Sequence, residues 1–579
     1  MLKIQHKRDK IIVFVIGLIF IGINSQGVQA QTDPIIKDSN IRPLTTSGGF
    51  GVTASTYSAS GIENRRAPAS LQTNANVNFS VFGFRSGISL LYSTDQTGLR
   101  QNMNAISFDA NYKWLTVQAG TVSPNFSEYG LNGTTLRGGY VKLDPGKWLF
   151  EFAGGQSQRA VKMQIDRGFR NPAYERYTFA GKMGVGKENS THFFLSSHYS
   201  KDNVNSIDSA GTTTPQQNLT ITPDAKFSLF GNKLNITSNV TVSAYTRDLN
   251  SDLIPTGDAG VPNFLTKIFE PYTSSRVNYA GKAAADLTLQ NFGLNVGYER
   301  VQPGFISLGS GRIRDDQQTV NVGSNVQLMD NRLGVQANFS VGQDNLLGNR
   351  LQTATNTSLG TNIRYQFTDM ISLNTSYNLM LNDFTSKTNV DSLNLGQQQI
   401  SHTFMLQPNV VIQDNDYTHS ISLSGSYFNM INEFKGAATT QNDFSSDTYS
   451  SSLAYSIRFP AGFSINTMGN FLVFNSVRST NVTAGGNVGA SYAFFEQKMN
   501  VSLNAGLNQN RNEVDRSQQN LGTYIFKTRQ IMMNLSANYR LYDKGSLSLS
   551  LRNLTNNIIE GAGSKYSEIE ANLVYRHRF

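Results

Sequence analysis

Apolar and polar residues alternate along most of this chain with a period of two. Leu71, Thr73, Ala75, Val77, Phe79 and Val81 share one face, with Asn74, Asn76, Asn78 and Ser80 on the other. Val320, Val322, Val326 and Leu328 likewise oppose Asn321, Gly323, Asn325 and Gln327. After a Met329-Asp330-Asn331-Arg332 turn the pattern resumes, with Leu333, Val335, Ala337, Phe339 and Val341 against Gln336, Asn338 and Ser340. The same spacing recurs at 371–381, 501–507 and 547–551. Period two is the signature of a β-strand, whose successive side chains point to opposite faces. In the last segment Ser567, Ile569, Ala571, Leu573, Tyr575, His577 and Phe579 face one way, and Glu568, Glu570, Asn572, Arg576 and Arg578 the other. A face with four charges cannot lie on a protein core. It suits a barrel wall with lipid outside and water inside.

The connections between segments alternate in length. Short ones include Phe82-Gly83-Phe84, Tyr112-Lys113-Trp114, Asp144-Pro145-Gly146-Lys147, Gly231-Asn232-Lys233 and Tyr542-Asp543-Lys544-Gly545. Longer polar links fall at 61–68, 123–133, 161–173, 201–214, 249–275, 303–316 and 382–396. A soluble sandwich also alternates apolar and polar residues, but short periplasmic turns and long outer loops are the rhythm of an outer-membrane barrel. The pattern predicts an all-β chain: a single transmembrane antiparallel β-barrel of about 26 strands over residues 48–579, with both termini periplasmic. Aromatics flank several short turns, and both tryptophans, Trp114 and Trp148, follow such turns directly. This predicts an inner-rim aromatic girdle. Pro223 and Pro408 fall inside strands and are expected to mark bulges.

Residues 1–30 read as a signal peptide, with a basic start, an apolar run from Ile11 to Ile23 and a small-residue site at Val28-Gln29-Ala30. That run is too short for a membrane-spanning helix, and no later stretch comes close. Residues 31–47 form a short periplasmic segment, too small for the plug of the transporters built from about 22 strands. Gly, Asn, Ser and Thr abound, charged residues make up 15% of the chain, and there is no cysteine, so disulfides and thiolate metal sites are excluded. The formal charge is +9. Lys3, Lys7, Arg8 and Lys10 against Asp9 carry part of it in the leader, and the mild remainder does not point to nucleic acid.

Candidate chemistry is sparse. No Ser/His/acid cluster, HExxH, phosphate loop or paired-cysteine motif occurs, so neither enzymatic activity nor a cofactor or metal is expected. His402 and His419 sit on consecutive strands, but near opposite ends of the wall, which points to structural roles. The richest charge cluster is Arg137, Arg159, Lys162, Arg167, Arg170 and Arg176, with Lys182 nearby and acidic residues interspersed. It reads either as an anion-attracting mouth or, preferably, as loop arginines that bridge lipopolysaccharide phosphates or pair with neighbouring carboxylates. The link 249–275 is the longest, and carries Phe264, Leu265, Ile268 and Phe269. Left together in water they would be costly at about 1.5–3 kcal/mol each, so this link is the candidate gate. Tyr575 and Phe579, in a strand that ends on an aromatic residue, are the candidate signal for the barrel-assembly machinery.

Tyr112-Lys113-Trp114-Leu115, Asn125-Phe126-Ser127-Glu128-Tyr129, Leu143-Asp144-Pro145-Gly146-Lys147, Gln158-Arg159-Ala160-Val161 and Tyr298-Glu299-Arg300-Val301-Gln302-Pro303-Gly304-Phe305 resemble a large outer-membrane barrel family of Bacteroidota. The resemblance spans roughly residues 105–320 and implies compartment and fold, with no assigned activity. The leading functional expectation is a gated conduit for transport or export across the outer membrane. The alternative is a barrel-anchored protein that holds surface adhesins or secretion-complex partners through its outer loops. Expected partners are outer-membrane lipid and lipopolysaccharide, the assembly machinery, and a plugging or surface protein. Tags inserted at 201–214 or 249–275 should bind antibody on intact cells, whereas a tag at 144–147 should not. Labelling of the 144–147 tag on sealed cells would reverse the topology.

Overall fold

The computed structural model describes residues 44–94, 104–163, 172–208, 211–255, 266–311, 313–386, 396–414, 416–435, 444–517 and 522–579. Of the unit Met1–Thr45 the described residues are Leu44 and Thr45, both extended, and the unit Thr46–Phe579 is the barrel. Twenty-six antiparallel strands, from β1 (Leu44–Ser60) to β26 (Tyr566–Arg578), each pair with their sequence neighbours, and β1 pairs with β26 to close the ring. Closure leaves no sheet edge, which is what a β-structure in hydrocarbon requires.

Residues directly opposite each other on paired strands share a face, so the ladder assigns every side chain to the inside or the outside. On β9 (His192–Asn203) Phe193 and Leu195 are exposed and face outward, whereas Phe194, Ser196, His198 and Ser200 are buried and face inward. Ile106, Phe179, Met183, Val242, Val277, Leu503 and Met533 continue the exposed outward set. Such a surface is costly in water and stable against lipid. At the end of the barrel with the short turns, Phe82, Phe84, Tyr112, Trp114, Trp148, Phe230, Phe367 and Phe495 are all exposed. They form the expected aromatic girdle.

The bulges expected at Pro223 and Pro408 are not formed. Register runs unbroken past both, from Ile221↔Val242 to Asp224↔Asn239 and from Leu406↔Gly425 to Asn409↔Ser422. A missing N–H interrupts the ladder without adding a residue to either strand. Register shifts fall instead between Gln156 and Gln158, Lys527 and Thr528, and Arg540 and Tyr542.

The seam is closed down to the last residue. Phe579 N–H donates to the Gly48 carbonyl at 3.0 Å and Gly48 N–H to the Phe579 carbonyl at 3.1 Å. A Cβ on Gly48 would meet the Phe579 ring at 2.8 Å and clash with the Asn76 carbonyl oxygen, so glycine makes room for the ring and the neighbouring backbone. Tyr575 packs against Phe50 with the rings tilted and 5.5 Å apart, and shares a hydroxyl contact of 2.6 Å with Tyr542. Further up the seam Tyr57 donates to Glu568 at 2.7 Å, and Arg65 and Arg66, from the connection after β1, reach Glu568 and Glu570 at 3.4 and 3.0 Å. Deleting Phe579, or replacing Tyr575 and Phe579 by serine, should reduce the heat-modifiable folded band in membrane extracts, since the deletion removes two closing hydrogen bonds and the substitution removes an aromatic cluster. An undiminished folded band would show that the seam closes without them.

Candidate functional site

The inner wall is covered over one arc. Strands β8 (Glu175–Gly186), β9, β10 (Gln217–Leu229) and β11 (Leu234–Thr246) carry short polar side chains inward, and Thr178, Ser196, His198, Ser200, Asn218, Thr220, Thr222, Thr241 and Ser243 are all buried. Two links from the end opposite the girdle lie on this surface. One is 123–135, between β5 (Leu115–Val122) and β6 (Leu136–Leu143). The other is 302–316, between β13 (Phe292–Val301) and β14 (Gln317–Leu328).

Apolar side chains seat both links. Phe126 and Leu131 pack with Val122, Leu136, Ala153 and Ala180, while Tyr129 and Phe305 pack with Ala280 and Val301. Tyr129 meets Phe305 edge to face at 6.3 Å. Each large buried side chain contributes about 1.5–3 kcal/mol. Burial first, and the charge of Glu299 second, push the Tyr129 phenol well above its ordinary range.

Hydrogen bonds then fix the register of link on link and link on wall. Asn132 N–H and Thr134 Oγ1 donate to the Gly309 carbonyl at 2.9 and 2.8 Å, and Ser307 Oγ donates to the Gly130 carbonyl at 2.7 Å. From the wall, Ser243 Oγ donates to the Ile306 carbonyl at 2.6 Å, and Leu308 N–H donates to Asn218 Oδ1 at 3.0 Å. His198 stands beneath, its Nδ1 2.5 Å from Thr220 Oγ1 and its Nε2 3.1 Å from Asn218 Oδ1. A Cβ on Gly309 would lie 2.8 Å from that Nε2 and 2.9 Å from the Gly130 carbonyl oxygen, so only glycine fits. The wall's hydroxyls and amides thus satisfy the backbone groups that an irregular link would otherwise bury unpaired.

Below the first link, toward the girdle, opens a recess of about 760 Å³ lined by charged side chains. Lys142 reaches Glu151 and Glu188, each at 3.3 Å, and Lys182 reaches Glu188 at 3.4 Å. Lys182 also lies over the Phe194 ring, on which His192 stacks at 4.3 Å while contacting Asp224 at 3.0 Å. Burial disfavours the charge of Glu188, but Lys182 and Lys142 outweigh it and hold the carboxyl below its ordinary range. Among the described residues no group of three or more His, Asp or Glu side chains is placed to hold a metal ion.

The basic cluster divides. Arg176 grips Asp202 through two contacts of 2.7 and 3.0 Å, Lys162 pairs with Asp208 at 2.8 Å, and Arg137 and Arg159 are exposed, Arg137 on the outward face of β6. Arg167 and Arg170 lie outside the described residues, as do Phe264 and Leu265. In the 249–275 link Leu249 and Phe269 are buried, Ile268 is exposed, and Leu253 pairs with Tyr272. Gln217 Nε2 donates to the Glu270 carbonyl at 2.6 Å. His402 and His419 both face outward, each bonded to a tyrosine hydroxyl at 2.9 Å, Tyr377 and Tyr455 respectively. In the sequence the inward links 123–135 and 302–316 have the length and polarity of outer connections. Phe126, Tyr129, Leu131, Phe305 and Leu308 carry the same warning as Phe264 and Phe269: large apolar residues in an otherwise polar link.

No protein-family model matches the sequence, and no curated protein matches it. Among solved structures, the chain is similar to OccAB4 of Acinetobacter baumannii, with 13% identity and a TM-score of 0.29 over 70% of this chain and 99% of that one. It is similar to the outer membrane protein OpdK of Pseudomonas aeruginosa, with 11% identity and a TM-score of 0.29 over 63% and 94%. The P pilus usher PapC translocation pore gives 12% identity and a TM-score of 0.25 over 92% and 99%. At these TM-scores the structures do not superpose as wholes, and the barrel is established by this chain's own strand pairing.

Replacing Gly309 by valine, or Asn218 by alanine, should release the 302–316 link, because one adds a clash and the other strands the Leu308 N–H at about 1–3 kcal/mol. The readout is protease cleavage within 123–135 and 302–316 of the folded barrel, against Ser358→Ala on the uncovered wall as control. Equal cleavage in all three would show that these contacts do not hold the links.

Proposed function

We propose that this protein is a conduit for transport or export across a bacterial outer membrane, narrowed from one side by links that fold into its lumen. The observation that carries the reading is the closed 26-strand ring with an apolar outward and a polar inward face. Barrels of roughly 16–18 strands already enclose water, so a ring of this size holds a wide lumen unless something fills it. The links 123–135 and 302–316 fill part of it, and among the described residues they rest on strands β5 to β13. The aromatic girdle and the outward apolar face support residence in a lipid bilayer, with the girdle end toward the periplasm and lipopolysaccharide around the opposite rim. A plugging partner or the 249–275 link supplies further closure.

A second reading, an anchor for surface proteins, is favoured by one observation: Leu253, Ile268, Leu347 and Leu351 are exposed in connections at the end opposite the girdle. Planar-bilayer recording separates the two. The purified barrel should conduct, removal of residues 126–131 should enlarge its conductance, and removal of 256–270 should do so if that link is also part of the gate. A correctly folded barrel that never conducts, and that retains a surface protein on purification, would favour the anchor.

A further inference from the structure

Resting on the conduit reading, we propose that the uncovered side of the lumen is a contact surface for a polypeptide chain in transit. The first support is the distribution of charge. Across eleven consecutive strands, β14 to β24 (Thr523–Tyr542), the ladder turns four charged residues inward: Asp344, Arg364, Arg458 and Arg540. Each is the last or third-last residue of its strand. Everything between the two rims is neutral, in contrast to the covered arc, where Lys142, Glu151, Lys182, Asp224, Lys226 and Lys282 point inward. A neutral wall neither traps nor repels a chain of mixed charge.

The second support is the wall's own hydrogen bonding. Ser426 and Ser450, Ser464 and Ser491, and Ser502 and Ser536 meet across strands at 2.6 Å each, and Asn510 Nδ2 donates to Asn481 Oδ1 at 3.1 Å. Groups already paired with each other offer a passing amide only weak, exchangeable contacts, so the polar wall itself does not hold the cargo.

The third support is a level of apolar side chains in this polar wall. Counted from the girdle end, Met380 is the tenth residue of β17 (Ile371–Ser386), Met405 the tenth of β18 (Gly396–Asp414) and Leu472 the tenth of β21 (Phe463–Ser476). Met532 is the eleventh of β24, and its ladder partner Leu554 the tenth of β25 (Gly545–Glu560). All five face inward. Methionine is flexible and polarisable and adapts to many apolar partners. Polypeptide side chains can use such a level. A glycan would use flat aromatic faces, and the inward phenylalanines of this arc, Phe384, Phe428, Phe434, Phe444, Phe474 and Phe526, all lie beyond that level toward the rim opposite the girdle. Among the described residues no tyrosine or tryptophan of β14 to β24 faces inward between the strand ends.

The test is single-channel recording of the full barrel with two probes of matched size, an unstructured low-charge peptide containing leucine and methionine, and dextran. Peptide should give current blockades about tenfold longer than dextran, since contact strength appears mainly in the off-rate. The variant Met380→Ser, Met405→Ser, Leu472→Ser, Met532→Ser should shorten peptide blockades about tenfold and leave open conductance and dextran blockades unchanged. Should it fail to fold, the pairs Met380→Ser with Met405→Ser and Leu472→Ser with Met532→Ser carry the same comparison. Dextran blockades as long as or longer than those of peptide, or peptide blockades insensitive to the substitutions, would overturn the proposal while leaving the conduit intact. Absence of any conductance would overturn the conduit reading itself, and this proposal with it.

Discussion

Pairing of β1 with β26 is the constraint on which the remaining structure depends. In hydrocarbon an unpaired strand edge leaves a row of N–H and C=O groups with no water to receive them, at several kcal/mol each. Closure removes that cost for all strands at once, so it must be completed at both ends of the seam. The exchange of hydrogen bonds between Gly48 and Phe579 completes one end, and the ion pairs of Arg65 and Arg66 with Glu568 and Glu570 tie the other. Surface ion pairs are individually weak. Their value here is positional, since they hold the first connection against the last strand.

Once the ring is closed, its inner surface is free to differ from arc to arc, because lipid constrains only the outer one. The arc from β5 to β13 uses that freedom to bury two links. Serine, threonine and asparagine are short enough to admit a second layer and polar enough to satisfy its backbone, while Phe126, Leu131, Tyr129 and Phe305 supply the apolar contacts that hold it in place. The charged recess beneath is a consequence. Glu151 and Lys182 are buried there, and the half-buried Lys142 and exposed Glu188 pair with them, so the charges neutralise one another. Among the described residues the opposite arc carries no such layer, and its inward face between the rims is neutral.

A protein with this division is asymmetric about its own axis although its wall is a uniform ladder. Among the described residues the covered side narrows the lumen, and the outward tyrosine-histidine pairs at Tyr377 and Tyr455 show that even the lipid face carries polar groups where a partner on the neighbouring strand satisfies them. Fold and function are therefore read from different places: the fold from the repetition, the function from where the repetition is interrupted.

The alternation of side chains determined the strands, their approximate number, the inside and outside faces and the girdle, because lipid and water select residues of opposite character at every second position. The period-two pattern of residues 69–81 or 317–328 needs no partner to be recognised. Only the tertiary structure decided which links turn inward. Links 123–135, 249–275 and 303–316 look alike as polar connections with apolar residues, and their seats are distant in sequence: Ser127 rests on the strand residue Thr222, 95 residues away, and Ser307 on Gly130 of the other link, 177 away. Proline misled for a related reason. Its missing donor is visible in sequence, but whether the neighbouring strand answers with a bulge or with an interrupted ladder depends on a register set by every other pair in the ring.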